Sequence, residues 1–379
     1  MSGADPAGGS RGPRPIAWIE QRLNLTEIFS FLTNFGVFPA ELDTRKPLRE
    51  AIHEALDRPI PSYARWPRVL GILSLMLLAV LAVTGVMLAF YYQPTPSEAY
   101  ESSTILVRDV TFGWFVHQVH GWASHALLFV LLLRLGRFFF QTLYRPPREL
   151  IWMVGLLAFL AATHADLTGR LLGWSGQGYW TTVRAVEILY DLPVLGGLFA
   201  FVVGGPGIDS LVLTRFYLMH ILVLPAALTG LLYLGSAGVR RVGLSGAPEG
   251  GAGRAAYAVY LHDLMILALL TVGALVTLAT LLPAPFDQPA DPLVTPRGAR
   301  PPWYLLASYG FMEAFPGWFP RWARGLLVEA ALVCALLLPF LDRPGKEGRR
   351  VRTARILAAA AIAAWLTFTW YGWRLEAGP

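Results

Sequence analysis

His120 and His220 each lie a short way inside the start of a long apolar segment, in a chain of 379 residues that carries only 7 histidines. A histidine within a bilayer-length segment is expensive unless something binds it, so such a pair points to function by default. Imidazole nitrogen is a common ligand for metal ions and for haem iron, and that is the chemistry the pair predicts. The single cysteine, Cys334, excludes an internal disulfide, a thiolate cluster and the two-cysteine attachment of a c-type haem. Any iron–sulfur or c-haem chemistry therefore belongs to other chains.

The elements that must hold the histidines are membrane spans. The chain is 55% hydrophobic and 15% charged, with mean hydropathy +0.49, whereas about a quarter of residues are charged in an ordinary soluble protein. Seven segments approach the roughly 20 apolar residues a span requires: Val69–Tyr92, Phe115–Phe139, Leu150–Leu172, Leu211–Leu234, Tyr257–Leu282, Leu326–Phe340 and Ile356–Trp373. Arg145 and Arg148, then Arg240, Arg241 and Arg254, then the run from Arg343 to Arg355 follow the second, fourth and sixth segments. The alternate loops hold Glu98, Glu101, Asp109, Glu187, Asp191 and Asp209. By the positive-inside rule the N-terminus is cytoplasmic and both histidines begin spans that enter from the outer side, at a similar depth. The net charge of +6 is thus a matter of topology and not of nucleic-acid binding. Met1 to Pro15 reads as a Gly/Pro-rich tail without a cleavable leader, and Trp18 to Phe38 as an amphipathic surface segment.

Two glycine pairs add a constraint. Gly71 and Gly85 in the first span, and Gly155 and Gly169 in the third, are each 14 residues apart, which returns to nearly the same helix face about 21 Å further along. Glycines so placed make room for two flat macrocycles stacked across the bilayer, or serve close helix packing.

Several motifs then fall in order on these spans: Ala82-Val83-Thr84-Gly85 leading to Phe90-Tyr91-Tyr92, Phe112-Gly113-Trp114, Pro147-Arg148-Glu149-Leu150, Gly178-Tyr179-Trp180, Thr214-Arg215-Phe216-Tyr217 with His220, and Pro289-Ala290-Asp291-Pro292. In these the chain resembles the cytochrome b family of the respiratory bc and photosynthetic bf complexes, most closely the cyanobacterial and plastid type fused to its short companion subunit. The resemblance implies an all-α integral membrane fold, a four-helix haem-binding bundle followed by about three further spans. It divides the chain into a cytoplasmic tail and surface helix (1–65), a haem domain (66–248) and a C-terminal domain (249–379). It makes His120 and His220 the axial ligands of a b haem on the outer side, flanked by Gly85 and Gly169, with Arg215 pairing a propionate. His117 stands where the family has a second such arginine, or else is an interfacial histidine facing water.

Two departures matter. The family's second ligand pair falls here on Arg134 and Gly235, neither of which can ligate iron. Its inner haem is therefore expected to be absent, with a relic cavity, a lipid, a quinone or an unligated cofactor in its place. The family's Pro-Glu-Trp-Tyr, whose glutamate takes a proton from quinol, is Pro301-Pro302-Trp303-Tyr304 here. His164, Asp166 and Glu187 are the replacement acceptors beside Tyr304, although Asp166 can also pair with Arg170 four residues on. The expected function is a single-haem electron-transfer subunit of a quinol:cytochrome c oxidoreductase-like complex in a bacterial-type cytoplasmic membrane. It would exchange electrons between quinol or quinone and a c-type cytochrome or Rieske-type iron–sulfur partner, as a dimer or part of a larger complex, without bifurcated oxidation. The rival readings are a non-redox anchor or quinone-binding subunit, and one half of a heterodimeric oxidoreductase.

Overall fold

The computed structural model describes residues 25–33, 42–59, 69–203, 208, 210–243, 254–285, 287–296, 298–342 and 347–375. The tail Met1–Pro15, most of the expected surface segment Trp18–Phe38, and Asp209, Arg343 and Lys346 lie outside them. Of the surface segment, Leu25–Thr33 is a helix, α1, followed by α2 (Leu48–Leu56).

Six helices are long and apolar enough to cross a membrane among the described residues. The first four of these make a bundle. α3 (Leu70–Ala89) carries no charged residue, and is apolar on every side as a lipid-facing span should be. The short α4 (Ala99–Arg108) leads to α5 (Gly113–Phe140), which turns back through α6 (Glu149–Leu172). Two short helices, α7 (Gly176–Tyr190) and α8 (Leu195–Val203), precede α9 (Ser210–Leu218). That helix runs through a widened π turn, Met219–Val223, into α10 (Leu224–Val242). α3 packs on α5, α5 on α6, α6 on α10 and α10 on α3. Leu77, Ala123, Leu127, Leu128, Leu131, Ala158, Ala162, Leu228 and Leu232 fill the bundle's centre, while Phe129, Leu133 and Leu269 face outward as lipid contacts demand.

The π turn has a local cause. Pro225 lacks an N–H and its ring crowds the carbonyl four residues earlier, at Ile221, so the turn before it widens. His220 sits in that turn.

The remaining helices lean on the bundle. α11 (Arg254–Leu281) packs on α5, where the Gln118 amide bonds both ways to Ala284, each at 2.9 Å. α12 (Leu306–Glu313) lies along α14 (Glu347–Arg374), with Gly310 and Gly372 at a crossing too close for a side chain. α13 (Arg321–Leu341) runs five residues further back than the expected Leu326–Phe340, because its polar residues are satisfied internally. Arg324 donates to the carbonyls of Met312, Pro316 and Phe319. Glu329 accepts from the backbone of Val194 and Leu195 at the start of α8. The seventh expected span, Ile356–Trp373, falls inside α14, which is not among the six.

The foot of α13 is tied to the α5–α6 connection by Asp342, which accepts from Tyr144 at 2.6 Å and from Arg145 at 2.9 Å. Burial first, and then the bond to Asp342, push the Tyr144 phenol up to about 12. A raised folded-state value favours the neutral phenol, so its contribution is complete below pH 10 and lost as pH climbs through 12. Tyr144→Phe should lower stability at neutral pH by about 1.5 to 3 kcal/mol, the net worth of a bond to a charged group. It should also flatten the loss between pH 10 and 12, which thermal melts across that range would show.

Candidate haem and proton-transfer site

His120 projects from the first third of α5 and His220 from the π turn, and their ring centroids lie 6.1 Å apart. Hydrogen bonds fix which nitrogen of each faces the gap. The Thr84 hydroxyl gives its proton to the Val80 carbonyl at 2.7 Å, so its oxygen is left to accept from His120 Nδ1 at 2.8 Å. His220 Nδ1 donates to the Ala165 carbonyl at 2.9 Å, and the Thr168 hydroxyl lies 3.3 Å from the same nitrogen. With Nδ1 protonated on both rings, both Nε2 atoms carry lone pairs; outer contacts of this kind set the tautomer of a metal-ligating histidine.

Glycines clear the space beside each ring. A Cβ at Gly85 would stand 3.2 Å from His120 Cε1, and one at Gly169 only 2.6 Å from His220 Cε1. The described residues hold no cluster of three or more histidine, cysteine or acidic side chains suited to a metal ion. A bare metal ion usually takes three or four protein ligands, whereas a haem iron brings four ring nitrogens and asks the protein for two. Two metal–nitrogen bonds of about 2 Å each, with the two half-rings, span roughly the observed centroid separation. The residues fit a bis-histidine haem.

Around this pair, Arg215 is exposed on α9 and His117 is half-buried one turn before His120, so His117 is not a fully water-facing residue. Arg134 lies fourteen residues past His120 on α5. Arg134 is buried and its Nη2 lies 3.2 Å from where a Cβ on Gly235 would be. Gly155 meets only Leu135, and nothing lies within 4 Å of a Cβ at Gly71.

The expected proton acceptors separate into three places. Asp166 is locked. Its Oδ1 accepts from Ser124, and its Oδ2 accepts from Arg170 Nε at 2.6 Å and lies 3.0 Å from the Tyr304 hydroxyl. His125, beside Arg170 Nη2 at 3.3 Å and Trp303 Nε1 at 3.4 Å, completes that network. Burial and the Asp166 carboxylate hold the Tyr304 phenol well above its ordinary value, so it stays a neutral donor. Glu187 lines a separate cleft of about 630 Å³ between α7, α12 and the start of α13, where Arg184 pairs with it at 3.2 Å. His164 differs from both. Its Nδ1 bonds the Leu160 carbonyl at 2.7 Å, which leaves Nε2 as a bare acceptor. Its ring packs edge-on against Phe199, which in turn packs against Tyr190 on the wall of that cleft.

Sequence reasoning missed Thr84, Thr168 and Ser124, and it set His125 aside as a ligand without seeing its place in the Asp166 network. One signal was available: Thr-Gly doublets at 84–85 and 168–169, in which the hydroxyl meets an Nδ1 and the glycine makes room for the same ring.

Residues 55–243 match the family described as Cytochrome b/b6/petB, and residues 289–378 match Cytochrome b(C-terminal)/b6/petD. The chain is 30% identical over 203 residues to cytochrome b6 of Prochlorococcus marinus (strain MIT 9211), covering 93% of that protein and 53% of this one. The chain belongs to the cytochrome b family. A cytochrome b from Allochromatium vinosum is 29% identical over 360 residues, 87% of each chain. The cytochrome b subunit of a bc complex from Chlorobaculum thiosulfatiphilum is 28% identical over 302 residues, 77% of this chain and 70% of the relative. The fold matches a chain of a hyperthermophilic respiratory Complex III with a TM-score of 0.66, at 23% identity and 94% coverage of both. A cytochrome b is an integral membrane protein that carries haem b for electron transfer, and the apolar helices and paired imidazoles described above are the means by which this chain would do so.

Proposed function

We propose that this chain is a single-haem cytochrome b subunit, in which His120 and His220 are the axial ligands of one b haem and no second haem is held. Gly85 and Gly169 flank the haem, and Arg215 and His117 lie on its outer approach. Such a group, when bound, supplies a one-electron couple with both axial positions taken and no opening for oxygen. The observation that carries the reading is the pair of rings 6.1 Å apart with both Nε2 lone pairs free. Arg134 and Gly235, neither of which offers a ligand nitrogen, support the absence of a second haem.

The chain would exchange electrons between quinol and a c-type cytochrome or Rieske-type iron–sulfur partner on the outer side. It would assemble in a bc-type complex of the bacterial cytoplasmic membrane, with its N-terminus cytoplasmic and without bifurcated oxidation. The haem domain would take 66–248 and the C-terminal domain 249–379. In the quinol reaction His164 accepts the hydroxyl proton at Nε2, while Leu160 keeps Nδ1 protonated and the ring oriented. Asp166 cannot do this without breaking the bonds that hold Arg170 and Tyr304, so it is a positioning group. Glu187 belongs to the mouth of the cleft. The retained ligand geometry counts against a purely structural anchor.

A pyridine haemochrome assay on the purified chain should give one b haem per polypeptide. Two per chain would overturn the reading.

A further inference from the structure

Arg134 is a charged side chain only 8% exposed, at the junction of α5, α6 and α10. The place of a Cβ on Gly235 lies 3.2 Å from its Nη2 and 3.6 Å from Val154 Cγ1. Its guanidinium carbon stands 5.9 Å from the centre of the Phe138 ring. The neighbouring charge is that of Arg137, of the same sign. Among the described residues no carboxylate or carbonyl accepts a hydrogen bond from it. A guanidinium cannot shed its charge and presents five N–H donors, and an uncompensated charge in such a place is strongly destabilising. A guanidinium so placed calls for an anionic partner.

We infer that Arg134 anchors a phosphate-bearing anion where α5, α6 and α10 meet, with Arg137, one turn nearer the end of α5, as the second cation. The planar fork of a guanidinium matches two oxygens of a phosphate. Depth names the source that fits. α5 has 28 residues, about 42 Å at 1.5 Å per residue, which is the thickness of a bilayer with its headgroups. Arg134 is six residues from the end of α5 at Phe140, about 9 Å inward. The phosphate of a lipid lies within one arginine side chain of that level, and Arg137 is one turn nearer to it. An anionic phospholipid headgroup therefore reaches both cations while its acyl chains run along the apolar faces of α5 and α10.

The test uses the full chain purified in detergent, wild type beside Arg134→Met. Native mass spectrometry after supply of phosphatidylglycerol should show one retained lipid per wild-type chain and about ten-fold less on the variant. Melting of delipidated protein should rise on adding phosphatidylglycerol for wild type and stay unmoved for the variant. A rise with inorganic phosphate instead supports the same oxyanion site and assigns it to free phosphate. Equal lipid retention by the two proteins, or an Arg134→Met chain that is the more stable under every condition, overturns the inference. Should that variant fail to fold, Arg134→Lys keeps the charge and loses the fork; undiminished retention there overturns it equally. Haem content read from the same samples keeps the result independent of the haem assignment.

Discussion

Gly169→Ala should strip the haem from this protein, while Gly85→Ala should largely spare it. The two positions look equivalent in sequence, each a glycine after a threonine, yet the space beside them differs. A Cβ at Gly169 would stand 2.6 Å from His220 Cε1, 3.1 Å from Nδ1 and 3.3 Å from Nε2, so the whole ring must move. Moving it breaks the Nδ1 bond to Ala165 and swings Nε2 out of the gap. A Cβ at Gly85 would stand 3.2 Å from His120 Cε1 and 3.9 Å from Nδ1, a conflict that a few tenths of an ångström relieves. Loss of ligand orientation typically costs 10–100-fold in metal affinity, so haem per chain should fall at least about ten-fold for Gly169→Ala and about two-fold or less for Gly85→Ala. Alanine raises helix propensity relative to glycine by about 1 kcal/mol, so a fall in haem with the helical content intact assigns the effect to the ring. Equal haem content in both variants and wild type would show that His220 does not hold it.

His120 and His220 are legible in the sequence because histidine is rare in this chain and costly in an apolar segment. The tautomer that makes them ligands is not legible. Threonines in these helices ordinarily bond the carbonyl four residues back, as Thr229 and Thr271 do, and nothing in residue type separates them from Thr84. The Thr-Gly doublet narrows the choice without deciding it, since Thr229-Gly230 repeats it on an exposed face. Span boundaries fail for a related reason. Hydropathy starts the sixth span after Arg324, because an arginine is counted as exposed to solvent. In the fold that guanidinium is satisfied by three carbonyl groups and sits inside the helix. The Asp166 network is half legible: the spacing of Asp166 and Arg170 gives their pairing, but Ser124, His125 and Tyr304 reach it from other segments.

His164→Gln should lower quinol oxidation by about 10²- to 10⁴-fold, the usual contribution of a positioned acid or base, with haem content and melting temperature close to wild type. His164 and Asp166 differ in which acceptor atoms are free. His164 Nε2 has a lone pair because Nδ1 bonds Leu160, and glutamine can keep that bond through its amide while supplying no base. Asp166→Asn provides the contrast. The Asp166 carboxylate is 7% exposed, against 29% for its partner Arg170, and removing one member of a buried pair costs about 3 to 5 kcal/mol because the other charge is left uncompensated. Arg170 is partly open, so the lower end applies. Asp166→Asn should therefore lose stability first, and any loss of rate should recover as the temperature is lowered into the range where the variant is folded. A His164→Gln chain that oxidises quinol normally, beside an Asp166→Asn chain that is stable but inactive, would exchange the two roles and make Asp166 the proton acceptor.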